Sequence, residues 1–297
     1  MEYITAKSVL MVTDSDEWFG SEYNINLYRG CSHGCIYCDS RSDCYAIKHF
    51  DTVKAKRNAL EILADELSRK RKKGIVSLGS MSDSYNPCEK ELELTRGALK
   101  LLDRYGFGVT LETKSELVLR DADVLKSISS HSPVIVKFTV TTPYDELAKK
   151  LEPKSSSPKK RFAALETLSN AGLFTGVLMT PILPFIEDDS ASVISLVDRA
   201  ASAGCKFAYA GRAFGVTMRD SQRAHFLDKA EKLFPGMKAR YLDAFGDDYF
   251  CISPRSGELM KTFTERCLQK GLLYTMDPIV AESKRPYETR QISLFDF

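Results

Sequence analysis

From Gly74 onward the sequence alternates short β-rich runs with amphipathic helix-forming stretches, a rhythm that leaves few architectures open. Ile75 to Gly79 predicts a buried strand, and Glu89 to Tyr105 the helix after it. The pattern repeats as Gly108 to Thr113 with Asp121 to Ser129, Val134 to Val140 with Lys159 to Ala171, and Thr175 to Met179 with Ser190 to Ala203, then Lys206 to Ala210. Gly172 and Gly204 stand where helices stop. A first strand over Tyr23 to Tyr28 and a helix over Val53 to Lys72 bring the series to six βα units. Such alternation calls for parallel strands with right-handed helical crossovers, as an open wound sheet or a barrel; periodicity does not separate the two. In both, ligands gather at the carboxyl ends of the strands.

Those ends are polar: Ser80, Ser82 and Asp83 follow the second strand, Lys114 and Ser115 the third, and Thr139, Thr141 and Thr142 the fourth. Any one of them is explained as a cap on the next helix; several on one rim predict a site. Beyond Phe214 the alternation gives way to helical patterns over Ser221 to Leu233 and Leu259 to Lys270 and a mostly irregular tail. The expected division is a lead segment over 1–22, a core over 23–214, a C-terminal extension over 215–288 and a tail over 289–297.

With 297 residues and 43% hydrophobic content the chain can bury a sizeable core. Its net charge of +2 supplies no global field for nucleic acid or a membrane. The sequence opens without a basic stretch and apolar run, and nothing in it reaches the roughly 18 uninterrupted apolar residues of a membrane span, so a cytoplasmic setting is expected. Three of its eight cysteines crowd together while Cys44, Cys88, Cys205, Cys251 and Cys267 are scattered, which predicts reduced thiols rather than a disulfide framework.

The crowded three are Cys31-Ser-His-Gly-Cys35-Ile-Tyr-Cys38, directly after the first predicted strand. Three soft thiolates on one loop suit an iron-sulfur cluster or zinc far better than magnesium or calcium. Three ligands leave one coordination position open, the arrangement by which catalytic metal sites keep room for a reactant. Two residues would close it: His33 as the fourth ligand of a zinc site, or Cys44 completing a four-thiolate set.

The C-x3-C-x2-C spacing with Tyr37 before its last cysteine resembles the signature of the radical S-adenosylmethionine (SAM) superfamily. Within it the chain is similar to the spore photoproduct lyase-like group, often labelled DNA repair photolyase. The matching segments are Asn24 to Cys38, Gly79 to Arg96, Thr113 to Leu125, Lys137 to Thr142, Leu151 to Gly172 and Gly176 to Phe185. The resemblance implies a partial (βα)6 TIM-type barrel and a 4Fe-4S cluster on Cys31, Cys35 and Cys38, whose open iron chelates SAM. It further implies reductive cleavage of SAM to a 5′-deoxyadenosyl radical that abstracts hydrogen from substrate, with a flavodoxin or ferredoxin as reductant. By motif match, Tyr37 lies near the adenine, and Ser82, Lys114 and Thr139 take polar SAM-contacting positions; Lys114 also suits the SAM carboxylate on charge grounds.

Two departures bear on the reaction. The lyase carries a hydrogen-donating cysteine two residues before the serine matched by Ser82; this chain has Ser80 there, and Cys88 is either a substitute donor, if its loop folds back, or a buried structural thiol. Asp39 stands where many relatives carry tyrosine. Arg69 to Lys73, and Lys149, Lys150, Lys154, Lys159, Lys160 and Arg161, are local basic excesses that suit either phosphates or a solvated face. Gln291 to Phe295 resembles the short peptide by which bacterial repair proteins dock on the sliding clamp. The competing functions are a radical SAM enzyme acting on nucleic acid, one acting on a protein or small molecule, and a metal-stapled adaptor that binds DNA or the clamp without catalysis.

Overall fold

The computed structural model describes residues 2–15 and 17–288, so Gln291 to Phe295 lies outside the described residues. The chain begins with strands β1 (Glu2–Ile4), β2 (Leu10–Val12), β3 (Tyr23–Ile25), β4 (Tyr28–Arg29) and β5 (Lys54–Lys56), followed by helix α1 (Ala59–Arg69). Next come β6 (Ile75–Leu78), α2 (Glu89–Leu92), α3 (Leu94–Tyr105), β7 (Gly108–Thr113), α4 (Ala122–Ser129) and β8 (Val134–Thr139). Helices α5 (Asp145–Leu151) and α6 (Pro158–Asn170) lead to β9 (Phe174–Leu178), α7 (Ser190–Ser202) and β10 (Phe207–Tyr209). The extension adds β11 (Gly215–Thr217), α8 (Asp220–Leu233), α9 (Met237–Phe245), β12 (Phe250–Ile252), α10 (Ser256–Lys270) and α11 (Met276–Glu288).

The main sheet runs β10-β9-β8-β7-β6-β3-β2; its six strands from β3 to β10 are parallel, and β2 pairs antiparallel on the edge. Six parallel strands with helical crossovers and, among the described residues, no closing pair make a partial barrel, which decides between the two architectures the periodicity left open. Strands β6 and β8 are buried at every residue, as parallel strands covered on both sides must be.

Residue-level differences from the expectation have local causes. The predicted strand Tyr23 to Tyr28 bends after Ile25, and Tyr28–Arg29 joins a separate sheet ordered β1-β5-β4. That sheet also claims Lys54–Lys56, so the first helix begins at Ala59 rather than Val53. The predicted helix Glu89 to Tyr105 breaks at Glu93, whose φ of 49° is left-handed. The end of the extension, expected to be irregular, is helical: α11 covers the interior beneath the strands, where Ile279 meets Phe19, Ile135, Leu178 and Phe207. Pro278 in its first turn is a helix-start signal that the sequence reading did not use.

Lys137 is the one lysine of β8, fully buried, with Nζ donating to Thr110 Oγ1 at 2.9 Å and lying 4.5 Å from the centre of the Phe19 ring. Burial pushes its pKa down to about 8, against an opposing pull from Glu112. Between that value and the 10.5 of a free lysine the unfolded chain binds more protons at this position than the folded one, so folding stability rises with pH across that window. Urea midpoints measured from pH 7.5 to 10.5 are expected to show this rise in the wild type and to lose it in Lys137→Met.

Candidate functional site

The cysteine loop leaves β4 through Gly30, whose φ of +82° and lack of a side chain are both required: a Cβ there would lie 2.6 Å from Phe50 O. Backbone bonds then clamp the loop on both sides. Cys31 N–H donates to Phe50 O at 2.9 Å, Ile36 N–H to Leu151 O at 3.0 Å, and Lys154 N–H to His33 O at 3.0 Å. The loop is thereby held over the carboxyl ends of the strands, where a cavity of about 300 Å³ opens. Cys31, Cys35 and Cys38 line it together with Tyr37, Ser80, Ser82, Asp83, Lys114 and Thr139, so the predicted cluster ligands and SAM contacts meet in one place, whereas Ser115, Thr141, Thr142 and Cys88 do not line it.

Cys88 stands apart. It caps the start of α2, packs against the main hydrophobic core and does not line the cavity. Asp83, which accepts from Tyr85 N–H and from Thr113 Oγ1, and Asn86, which accepts from Cys88 N–H, fix the intervening turn so that it cannot fold back. Cys44 is exposed, with its Sγ 3.2 Å from Ser42 Oγ, also off the cavity. Cys205, Cys251 and Cys267 are buried in hydrophobic clusters.

Beneath the loop lies a buried network. Tyr37 Oη donates to Glu152, which pairs with Arg161, and Arg161 in turn donates to Thr139 O at 2.8 Å and Ser156 O at 2.7 Å. Arg161, read from sequence as part of a basic surface, is only 1% exposed. Lys114 Nζ sits 5.7 Å from the Tyr37 ring centre. Burial alone would favour neutral Lys114, but Cys35, Glu152 and Glu112 around it hold its pKa above the usual lysine value. Ser82 Oγ donates to Gly30 O, and Asp83 accepts from the Lys114 backbone N–H at 2.8 Å, joining two strand ends.

Burial pushes the Cys31 thiol up to about 12 and raises Cys35 and Cys38 as well, so ionising all three calls for a cationic occupant. His33 Nδ1 lies 3.0 Å from Ser155 Oγ, while its buried Nε2 has no partner among the described residues. Three thiols, an orphaned imidazole nitrogen and one half-buried ammonium fit an iron-sulfur group and a carboxylate ligand. Among the described residues no three His, Cys, Asp or Glu side chains converge on a single metal ion.

The family model described as the radical SAM superfamily matches residues 25–197. The chain belongs to the radical SAM superfamily. Members of that superfamily use a 4Fe-4S cluster with SAM and need a reductant such as flavodoxin or ferredoxin. An uncharacterized protein of Methanocaldococcus jannaschii is 38% identical over 173 residues, 57% of this chain and 63% of the relative, so the match spans less than two thirds of that protein. An uncharacterized protein of Mycobacterium tuberculosis is 29% identical over 249 residues, 82% of this chain and 72% of its own length. Among solved structures, spore photoproduct lyase complexed with dinucleoside spore photoproduct aligns with a TM-score of 0.67 at 17% identity, covering 92% of this chain and 81% of the lyase. The radical SAM methyltransferase TsrM of Kitasatospora setae, with tryptophan and a SAM analog bound, aligns at 0.51 with 11% identity, over 83% of this chain and 51% of that one. At such identities the likeness is one of fold.

What the radical SAM motif did not reveal is the far wall of the cavity. Gly215, Val216 and Thr217 of β11 and Phe250 of β12 line it, supplied by the extension rather than the βα core. The extension is latched to the cysteine loop by Asp39, the residue that departs from tyrosine. Arg219 donates to Asp39 through Nε at 3.0 Å and through Nη2, and Tyr45 Oη donates to the same carboxylate at 2.9 Å. Ser42 Oγ donates to Asp220 at 2.7 Å, and Gln222 Nε2 to Tyr37 O at 3.2 Å. Apart from the Tyr45–Asp39 bond, these contacts join residues about 180 apart in sequence, beyond the reach of any local pattern.

Glu152 left without its cation is an uncompensated buried charge. Arg161→Met is therefore expected to lower the unfolding free energy by about 3–5 kcal/mol in denaturant titration. Glu152→Gln in the same background should recover part of that loss by neutralising the stranded carboxylate.

Proposed function

We propose that Cys31, Cys35 and Cys38 hold the 4Fe-4S cluster with one iron left open, that Tyr37, Ser82, Lys114 and Thr139 receive SAM, and that the substrate is a modified nucleic acid. The observation that carries this reading is the convergence of the three cysteines and those four side chains on one cavity at the carboxyl ends of the strands. The cluster and SAM, when bound, supply a carbon-centred radical that abstracts hydrogen; the chain supplies placement. Lys114, kept charged by its neighbours, pairs with the SAM carboxylate. The Tyr37 ring, fixed through Glu152 and Arg161, forms the wall beside it. The latched extension covers the cavity from the other side and limits the water that reaches the radical.

Support for a nucleic-acid substrate comes from stacking surfaces rather than from the basic runs. Arg69 pairs with Asp65 and Lys72 with Glu22, while Lys70 and Lys73 lie over the Tyr23 and Phe107 rings, so four of the five cations of that run have partners within the fold. At the cavity, by contrast, Phe250 and its neighbour Tyr249 are exposed, with the Arg219 guanidinium 5.7 Å from the Tyr249 ring centre. Exposed aromatics beside an arginine are how unpaired bases are held. The likeness in fold to a lyase solved with a dinucleoside lesion agrees with this. Docking on a sliding clamp through Gln291 to Phe295 is part of the same proposal and rests on sequence alone.

Anaerobic reconstitution followed by dithionite and SAM is expected to give 5′-deoxyadenosine, read by chromatography and mass spectrometry. Replacing Cys31, Cys35 or Cys38 with Ala should abolish the cluster by iron and sulfide analysis, whereas Cys44→Ala should keep it. Zinc without sulfide, or an intact cluster without SAM cleavage, would falsify the assignment. Lys114→Met should weaken SAM binding at least about tenfold, the loss of one charge-assisted contact. Cys88→Ala should leave product formation unchanged in a screen against damaged oligonucleotides.

A further inference from the structure

We infer that the outer face of the β1-β5-β4 sheet is the docking surface for an acidic electron-transfer protein, which delivers the electron to the cluster. The inference rests on the cluster assignment above. It starts from register. Arg29 of β4 stands directly opposite Lys54 of β5, and opposed residues in an antiparallel pair project to the same side. Lys56, two residues on from Lys54, shares that side, while Ala55 between them is buried. Arg29, Lys54 and Lys56 thus crowd one face of a three-stranded sheet.

Only part of this charge is compensated. Lys54 pairs with Glu2 at 2.7 Å. Arg29 is exposed and spends its guanidinium on a neutral acceptor, Ala46 O, at 2.6 Å. The pKa of Lys56 is lowered by burial and by the nearby Arg29 charge, against a smaller opposing pull from Glu66, so the sheet tolerates a repulsion. Like charges opposed across strands cost stability, so this face keeps an unfavourable arrangement in a chain whose net charge is only +2. Exposed Lys48 and Arg57 flank it in sequence, and Asp51, the carboxylate between them, is taken by Arg41.

Its position argues for a reductant rather than for substrate. The segment that carries it binds the backbone of Cys31 through Phe50 O, and Gly30 fits between Phe50 O and Thr52 O. None of residues 46–57 lines the cavity. The face therefore backs onto the cysteine loop from outside, close to the cluster and away from the opening where a nucleic acid must enter. A partner with a negative surface would be steered there by charge. One electron leaves the reduced partner, which is oxidised, and reduces the cluster; no atom is transferred.

The test uses the full chain, reconstituted anaerobically, with cluster reduction followed as loss of visible absorbance in stopped flow. Reduced bacterial flavodoxin and dithionite serve as separate reductants. Arg29→Glu with Lys54→Glu is expected to slow reduction by flavodoxin about tenfold or more at low salt. The gap should narrow as ionic strength passes ~0.15 M, where the Debye length is about 8 Å. Iron content and the dithionite rate should not change. Arg29→Gln with Lys54→Gln, a milder pair, should fall between. Equal flavodoxin rates in wild type and variants overturn the inference. So does weaker binding of a single-stranded oligonucleotide with an unchanged flavodoxin rate, which would give the face to nucleic acid. A wild-type protein that dithionite cannot reduce instead removes the cluster assignment itself, a result distinct from either.

Discussion

The Glu152–Arg161 pair, almost wholly withdrawn from water, is the joint on which the site depends. An ion pair at that depth is costly unless its remaining hydrogen-bonding capacity is met. Here it is met by groups that matter elsewhere: the Tyr37 hydroxyl from the cysteine loop, the Thr139 carbonyl at the end of β8, and the Ser156 carbonyl ahead of α6. Satisfying two buried charges therefore brings the loop and the barrel rim to a fixed separation. The same carboxylate also helps keep Lys114 charged, so one interaction sets both the shape and the polarity of the cavity.

The βα core was legible because a parallel strand covered on both sides must be apolar along its length and must be followed by an amphipathic helix. Ile75–Leu78 shows the relation in its simplest form, buried at every residue and bounded by Gly74 before it and Gly79 after it. The ring of strand-end residues was legible for a related reason: topology brings Ser82, Lys114 and Thr139 to one rim wherever the strands are parallel. Cys88 failed that reasoning. It lies past the rim, in a turn whose backbone is already fixed by the carboxylate of Asp83 and the amide of Asn86, and sequence distance from Ser82 carried no information about reach.

The remainder was hidden because it depends on pairings between distant segments. Lys54–Lys56 has little strand propensity of its own; it is extended because β1 and β4 bond to its two edges. Asp39 looked like a loss when set against tyrosine, yet it gains Arg219 and Tyr45 as partners and fastens the extension to the loop. Arg161 looked like surface charge because its neighbours Lys159 and Lys160 are, and only the position of Glu152 turns it inward.

Charge placement in this protein thus divides along physical lines. Cations near acidic or aromatic neighbours, such as Arg69, Lys70, Lys72 and Lys73, are absorbed into the fold and leave little field outside it. Cations opposed to one another across β4 and β5 cannot be absorbed in this way, because the sheet register holds them together whatever the solvent does. Glu2 on β1 offsets Lys54, and Glu66 acts on Lys56, but the repulsion between Arg29 and Lys56 persists in the free protein and an external negative surface would relieve it. A near-neutral chain can therefore carry a directed electrostatic signal, provided the backbone rather than the composition concentrates it.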